Sequence, residues 1–372
     1  MTRATIGINL LWLVPGEVGG SEESTLASVR ALVELADPSL DLRLFVLESM
    51  LNAHPDVTSS LPTEVLPLSG QARWARVAAE TSWLAARSRG LDLVHHAGGT
   101  APPLRTTPYV LTLHDIQPLE AQATHSAIKR AYLSAAIPPS VRRARLTAVP
   151  SEFVRRAVLT RLKVDPDRVV VVPHGVDVLA APTPVAVLRE RYRLDGPVVL
   201  YPAITYPHKN HAVLIDAFAE VVRRHPDALL VLPGGRGGEE DRLRDRIDGL
   251  GLRPRVRRTG RISAADVAGL YGEAAVVAVP SRYEGFGLPA AEAMAYGAPL
   301  VAAASTALPE VVGDAGRLVD PDDVGGWADA IAGLLDDTGE RRRLADAGRR
   351  RALRYTWGAN AAALAAVYHR AL

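Results

Sequence analysis

Two glutamates with seven residues between them follow a short apolar run. Glu284 and Glu292 lie in Pro280-Ser281-Arg282-Tyr283-Glu284-Gly285-Phe286-Gly287-Leu288-Pro289-Ala290-Ala291-Glu292-Ala293-Met294-Ala295-Tyr296-Gly297. The run before Pro280 predicts a strand. The segment from Leu288 predicts a helix, with Pro289 in the first turn, where its missing N–H costs nothing. Gly285 and Gly287 let main-chain amides approach a ligand, and the exposed N–H groups of a helix start suit a diphosphate. Carboxylates in such places accept hydrogen bonds from hydroxyls, and ribose and hexose both offer vicinal pairs. The plainer alternative is a loop acid and a helix acid that cap their neighbours.

Three further constellations follow predicted strands. Tyr201-Pro202-Ala203-Ile204-Thr205-Tyr206-Pro207-His208-Lys209-Asn210-His211 opens a helix, and Lys209 is one of only three lysines in the chain. An ammonium at that junction can stabilise charge developing on a diphosphate leaving group. Val14-Pro15-Gly16-Glu17-Val18-Gly19-Gly20-Ser21 is a glycine loop without the Gly-x-Gly-x-x-Gly spacing of a dinucleotide fingerprint. Leu113-His114-Asp115 puts an imidazole at a strand's carboxyl end, where a purely structural histidine is the alternative.

The segment from Pro280 to Gly297 closely resembles the Glu-x7-Glu motif of the retaining glycosyltransferases of family 4, whose fold is GT-B. The resemblance implies that Glu284 contacts the transferred sugar and Glu292 the ribose. Gly285, Phe286, Gly287 and Leu288 would line the donor. Gly19 and Gly20 resemble the loop that closes over donor phosphates, and His114 the histidine near the donor sugar. Gly260-Arg261-Ile262 stands where relatives contact the base. The family commonly has an Arg five or six residues before Lys209. Here those positions are Ile204 and Ala203, which leaves Arg261 and Arg282 as candidate second cations. The Pro-His-Lys-Asn element is similar to a subgroup rich in mannosyltransferases, so GDP-mannose is the first donor expectation. The expected acceptor is a glycan, a lipid-linked sugar or a small molecule. The alternatives are a sugar-nucleotide-binding or scaffold subunit of weak activity, and an epimerase on the same fold.

These loops need strands to hold them. Strands are expected at Thr5–Leu10, Leu42–Leu47, Leu91–His95, Tyr109–Leu113, Leu146–Val149 and Val169–Val172. After a Pro-rich connector they resume at Val198–Tyr201, Leu229–Leu232, Arg255–Arg258, Val276–Val279 and Leu300–Ala303. Helices lie between them, among them Ser24–Leu35, Trp74–Ser88, His211–Arg224 and Ala264–Gly272. The fold class is therefore α/β: two facing, doubly wound, Rossmann-like domains over 1–178 and 179–357, with a helix at 358–372 returning to the first. Ligands in such sheets sit at the carboxyl ends of the strands.

A length of 372 residues fits two cores, and a net charge of +2 gives no reason to expect a nucleic-acid partner. No cysteine is present, which excludes disulfides, thiolate metal sites and a cysteine nucleophile. Asp165-Pro166-Asp167 and Asp320-Pro321-Asp322 carry metal-like spacing, but each has a central proline that suits a turn. No metal or cofactor is expected. The apolar run Ile6–Val14 leads into Pro15-Gly16 and reads as a strand instead of a signal peptide, so a cytoplasmic protein is expected. Arg130, Arg142, Arg143, Arg145, Arg155, Arg156, Arg161 and Lys163 form a basic stretch. It is either a solvated set of helix faces or a patch for peripheral contact with the anionic inner face of a membrane.

Overall fold

A computed structural model describes residues 3–17, 20–104, 107–119, 127–178 and 181–372. Gly19 lies outside the described residues, as do residues 120–126. The chain forms two compact units, one of Met1–Gly175 with Thr356–Leu372, the other of Val176–Tyr355.

The first unit holds β1 (Ala4–Asn9), β2 (Leu40–Leu47), β3 (Thr63–Leu66), β4 (Leu93–His96), β5 (Tyr109–Thr112), β6 (Leu146–Val149) and β7 (Val169–Val171). They form one parallel sheet in the order β3-β2-β1-β4-β5-β6-β7. The second unit holds β8 (Val198–Leu200), β9 (Leu229–Pro233), β10 (Val256–Gly260), β11 (Val276–Val279), β12 (Leu300–Ala303) and β13 (Arg317–Val319). Its parallel order is β10-β9-β8-β11-β12-β13. In each sheet the winding reverses between the first and fourth strands, β1 and β4 or β8 and β11. Open α/β sheets bind ligands at this switch point.

The central strands are buried on both faces by helices. Val276-Val277-Ala278-Val279 is buried throughout, so it shows a continuous apolar run instead of alternation. The sequence reading misses β3 and β13, both edge strands of three or four residues. β3 sits between Pro62 and Pro67, and β13 carries Arg317 and an exposed Leu318. Edge strands need little apolar sequence, because half their surface is uncovered.

The helix Trp357–Ala371 belongs to the first unit. Ala361, Leu364, Ala365 and Tyr368 enter the same core as Ile6 and Ile8 of β1. Thr356 caps it, accepting from the Ala359 N–H at 3.1 Å. Asn360 donates to the Pro173 carbonyl at 2.6 Å, and the Tyr368 hydroxyl lies 2.8 Å from Nδ1 of His95.

At the first unit's switch point, the Asn9 amide donates to Nδ1 of His96 at 3.0 Å and to Oε1 of Glu80 at 3.2 Å. Its oxygen accepts the Leu11 N–H at 3.0 Å, so all the hydrogen-bonding atoms of its amide are engaged as the chain leaves β1. Glu80 begins a wider π-helical stretch, Glu80–Leu84, within the expected helix. Burial pushes its carboxyl up to about 7, against the hydrogen bond from Asn9. The raised value means that the folded state favours protonated Glu80. That contribution is fully present below the unfolded value near 4.5 and is lost as pH rises through about 7. A gap of this size corresponds to roughly 3 kcal/mol at most. Glu80→Gln should therefore melt several degrees above the parent at pH 8 and close to it at pH 5. Parallel melting profiles for the two proteins across that range would show that Glu80 does not titrate there.

Candidate active site

The carboxyl ends of β8 and β11 carry the two strongest sequence signals, and hydrogen bonds join their loops. Tyr201, fully buried just past β8, donates its hydroxyl to the Lys209 carbonyl at 3.0 Å and meets the Ser281 hydroxyl at 2.9 Å. Burial, then the charge of Glu284, holds this phenol well above its ordinary value, so it stays a donor. Residues 203–206 lie against the glycine turn after β9. Gly234 has φ +152°, and a Cβ there would lie 2.1 Å from the Ala203 carbonyl oxygen, which excludes any other residue. The Gly237 N–H donates to Oγ1 of Thr205 at 2.6 Å. The glycine-rich turn after β9 thus supports the Lys209 segment.

Pro207–Lys209 makes one turn of 3₁₀ helix and ends at Asn210, whose φ is +56°. The Asn210 amide donates to the Pro280 carbonyl at 3.1 Å and the Pro321 carbonyl at 2.7 Å. It thereby ties the loop after β8 to the loop after β11. On the β11 side, the Glu284 N–H donates to Oγ1 of Thr306 at 3.0 Å. Thr306 has φ +52°, a left-handed conformation that a β-branched residue rarely adopts and that local contacts must hold in place.

Between these supports, Nζ of Lys209 and Oε1 of Glu284 stand 2.6 Å apart, with side chains 18% and 10% exposed. Next along the chain, Gly287 takes φ +100°, and a Cβ there would lie 2.6 Å from Leu308. The helix Leu288–Tyr296 starts immediately after it with Pro289 in the first turn and no side chain capping it; the Ala290 and Ala291 N–H groups turn back to the Gly287 carbonyl at 3.0 and 3.2 Å. Phe286 is buried against Tyr355 with ring centroids 5.3 Å apart, and Leu288 packs partly into the core. The Phe286 ring is therefore part of the core. Glu292, on the same helix, accepts the Tyr271 hydroxyl at 2.6 Å through Oε2.

The other expected cations have different surroundings. The half-exposed Arg282 guanidinium donates to Asp322, in the turn after β13, at 2.9 and 2.5 Å. Arg261 follows β10, next to the partly buried Ile262. A Cβ at Gly235 would lie 3.2 Å from Nε of Arg261 and 3.7 Å from Cγ1 of Ile204, which places this guanidinium beside the position where an Arg was expected. Asp165 and Asp320 each accept the main-chain N–H two residues on, at 2.9 Å. Among the described residues no group of three His, Asp or Glu side chains is placed to hold a metal ion.

His114 and Gly20 belong to the first unit, where Gly20 starts the helix Gly20–Leu35. Glu22 of that helix accepts the Gly16 N–H at 2.9 Å and meets Nε2 of His54 at 3.0 Å, which pins the described part of the glycine loop. His114 points Nε2 at the Ala97 carbonyl at 3.0 Å, so that nitrogen carries the proton and Nδ1 is the acceptor. Nδ1 has no partner among the described residues. The ring stacks on His174 with centroids 5.6 Å apart, and with His95 the two line a small pocket that also holds Thr25. Burial lowers His114 below its ordinary value, and lowers His95 and His174 to about 3. All three are neutral at physiological pH.

Comparison with known proteins agrees with this division of the chain. Residues 18–178 match the family model described as Glycosyltransferase Family 4, and residues 188–351 match Glycosyl transferases group 1. O-antigen chain mannosyltransferase B of Escherichia coli is 30% identical over 274 residues, 72% of this chain and 71% of that protein. The chain belongs to glycosyltransferase family 4. A second relative, MMP alpha-(1->4)-mannosyltransferase of Mycolicibacterium hassiacum, is 38% identical over 218 residues, 57% of this chain. The match spans about half the length of that relative, 51%. Among solved structures, HepE of Anabaena in complex with UDP and glucose has the same fold, with TM-score 0.78 and 22% identity over 99% of this chain and 100% of that one.

The geometry of the Lys209–Glu284 pair carries a stability prediction. Removing one partner of a mostly buried pair leaves the other desolvated and uncompensated, at a cost of about 2–4 kcal/mol. Lys209→Met should therefore lower the melting midpoint by roughly 5–10 °C. Lys209→Met with Glu284→Gln, which removes both charges, should recover most of that loss. Equal midpoints for the single variant and the parent would mean that the pair is not coupled.

Proposed function

We propose that this protein is a retaining glycosyltransferase that moves a hexose, mannose first, from a nucleoside diphosphate sugar to a glycan, lipid-linked or small-molecule acceptor. The observation that carries the reading is the Lys209–Glu284 pair at the switch point of the second sheet, beside the uncapped start of Leu288–Tyr296. A diphosphate at that helix start would draw Lys209 toward its oxygens, while the Glu284 carboxylate would accept sugar hydroxyls. Arg261, beside Ile204, suits the role of second cation. The bond from the anomeric carbon to the phosphate oxygen breaks, the bond to the acceptor oxygen forms on the same face, and the departing phosphate takes the acceptor proton. Neutral His114, protonated on Nε2 toward Ala97, offers Nδ1 only as an acceptor and is not a proton donor there. The mannose preference is supported by the names of the two relatives, and a GDP donor by the Pro-His-Lys-Asn element.

Thermal shift against GDP-, UDP- and ADP-sugars tests the donor, because a ligand that binds only the folded state raises the melting point. GDP-mannose should give the largest shift. Lys209→Ala should lower kcat by roughly 10²–10³-fold with a much smaller change in donor Kd, since charge on the diphosphate grows as the bond breaks. EDTA should leave the rate unchanged. Donor binding without any turnover would favour a sugar-nucleotide-binding subunit, and loss of rate with EDTA would restore a metal to the mechanism.

The basic stretch of the first unit narrows as a membrane contact. Arg145, Arg155, Arg161 and Arg168 donate to main-chain carbonyls, of Ala371, Val169, Leu119 and Ala144 respectively. Arg130, Arg142, Arg143, Arg156 and Lys163 stay exposed and are cations available to an anionic surface. No helix among the described residues is long and apolar enough to cross a membrane. Each such cation is worth about 1 kcal/mol near an anionic bilayer. Sedimentation with anionic vesicles should show salt-sensitive binding that Arg142→Gln with Arg143→Gln weakens about tenfold or more. Binding that is equal on neutral vesicles would leave these residues as a solvated face.

A further inference from the structure

Tyr271 was not among the residues singled out from sequence. It lies near the end of the helix Ala264–Glu273 and is 1% exposed. Its ring stacks on Tyr296 with centroids 5.4 Å apart and planes 3° from parallel. The hydroxyl is thereby fixed in place, 2.6 Å from Oε2 of Glu292 and 3.3 Å from the Pro289 carbonyl. A phenol has one proton to give, and the nearer, charged acceptor takes it.

We infer that Tyr271 is a positioning residue for Glu292, holding one carboxylate oxygen so that the group meets the vicinal hydroxyls of a donor ribose in a fixed plane. The inference rests on the proposed reading of Glu292 as the ribose contact. A glutamate side chain that is not held loses rotamer freedom on binding, and its terminal torsion is soft. Tyr271 removes that cost before the ligand arrives. Because the phenol is buried next to a carboxylate, its proton is held far above the ordinary tyrosine value and the hydrogen bond persists across the working pH range. The tyrosine touches no reacting atom, so its influence belongs to nucleotide affinity, not to the chemical step.

The test compares GDP with 2′,3′-dideoxy-GDP by titration calorimetry on the parent, Tyr271→Phe, Glu292→Gln and the double variant. The parent should prefer GDP. Tyr271→Phe should lose on the order of tenfold in GDP affinity while binding the dideoxy nucleotide like the parent, and the retained dideoxy binding also reports a folded protein. The double variant should lose little beyond Glu292→Gln. With donor sugar, KM should rise and kcat stay within about twofold. Equal losses for both nucleotides in Tyr271→Phe, or no loss for either, overturn the inference. If Glu292→Gln keeps the parent's preference for GDP, the ribose reading falls and the inference falls with it. A preference lost in Glu292→Gln but kept in Tyr271→Phe overturns the inference alone.

Discussion

An ammonium and a carboxylate 2.6 Å apart, both mostly out of water, are stable only while each remains the other's partner. The loops of the second unit are built around that condition. Lys209 is delivered by a segment clamped at Tyr201, Thr205 and Asn210, and Glu284 by one clamped at Thr306. Those clamps are hydrogen bonds between neutral side chains and main chain, so the charges sit on a frame that does not depend on their own attraction. A ligand bringing phosphate to one charge and hydroxyls to the other can therefore replace the pair without dismantling the frame.

The two sheets solve the same local problem with the same residue type. At a switch point, neighbouring strands send their connections in opposite directions, and nothing in the β-ladder joins the departing loops. In the first unit the Asn9 amide spans β1, β4 and the helix that carries Glu80. In the second, the Asn210 amide spans the loops after β8, β11 and β13. A short side chain with both donors and an acceptor can bridge such a gap, where a charged one would add a desolvation cost.

The alternation of strands and helices was legible because each central strand is a buried run and each helix shows an apolar face. The helix His211–Arg224 was read to the same bounds that the structure gives. Edge strands β3 and β13 were not legible, since little of their surface is covered. The contact between Lys209 and Glu284 joins two segments that sequence could mark separately but not bring together. Tyr201, Thr306 and Tyr271 left no signal. Their roles come from hydrogen bonds to partners distant in the chain, and a buried tyrosine or an ordinary threonine reads as core or turn until its partner is known. Which arginines of the basic stretch close the fold was not legible for a related reason: an Arg that meets a main-chain carbonyl looks the same in sequence as one that only faces solvent.

The first unit is made from two stretches of chain, with the second unit inserted between Gly175 and Thr356. Ile6 and Ile8 of β1 share their core with Leu364 and Tyr368, residues synthesised after every part of the second unit. On a ribosome, the inserted unit can complete its fold while the earlier-made sheet still lacks one covering helix. The order of completion is then the reverse of the order of synthesis, and during that interval the uncovered face of the first sheet is what a chaperone would meet.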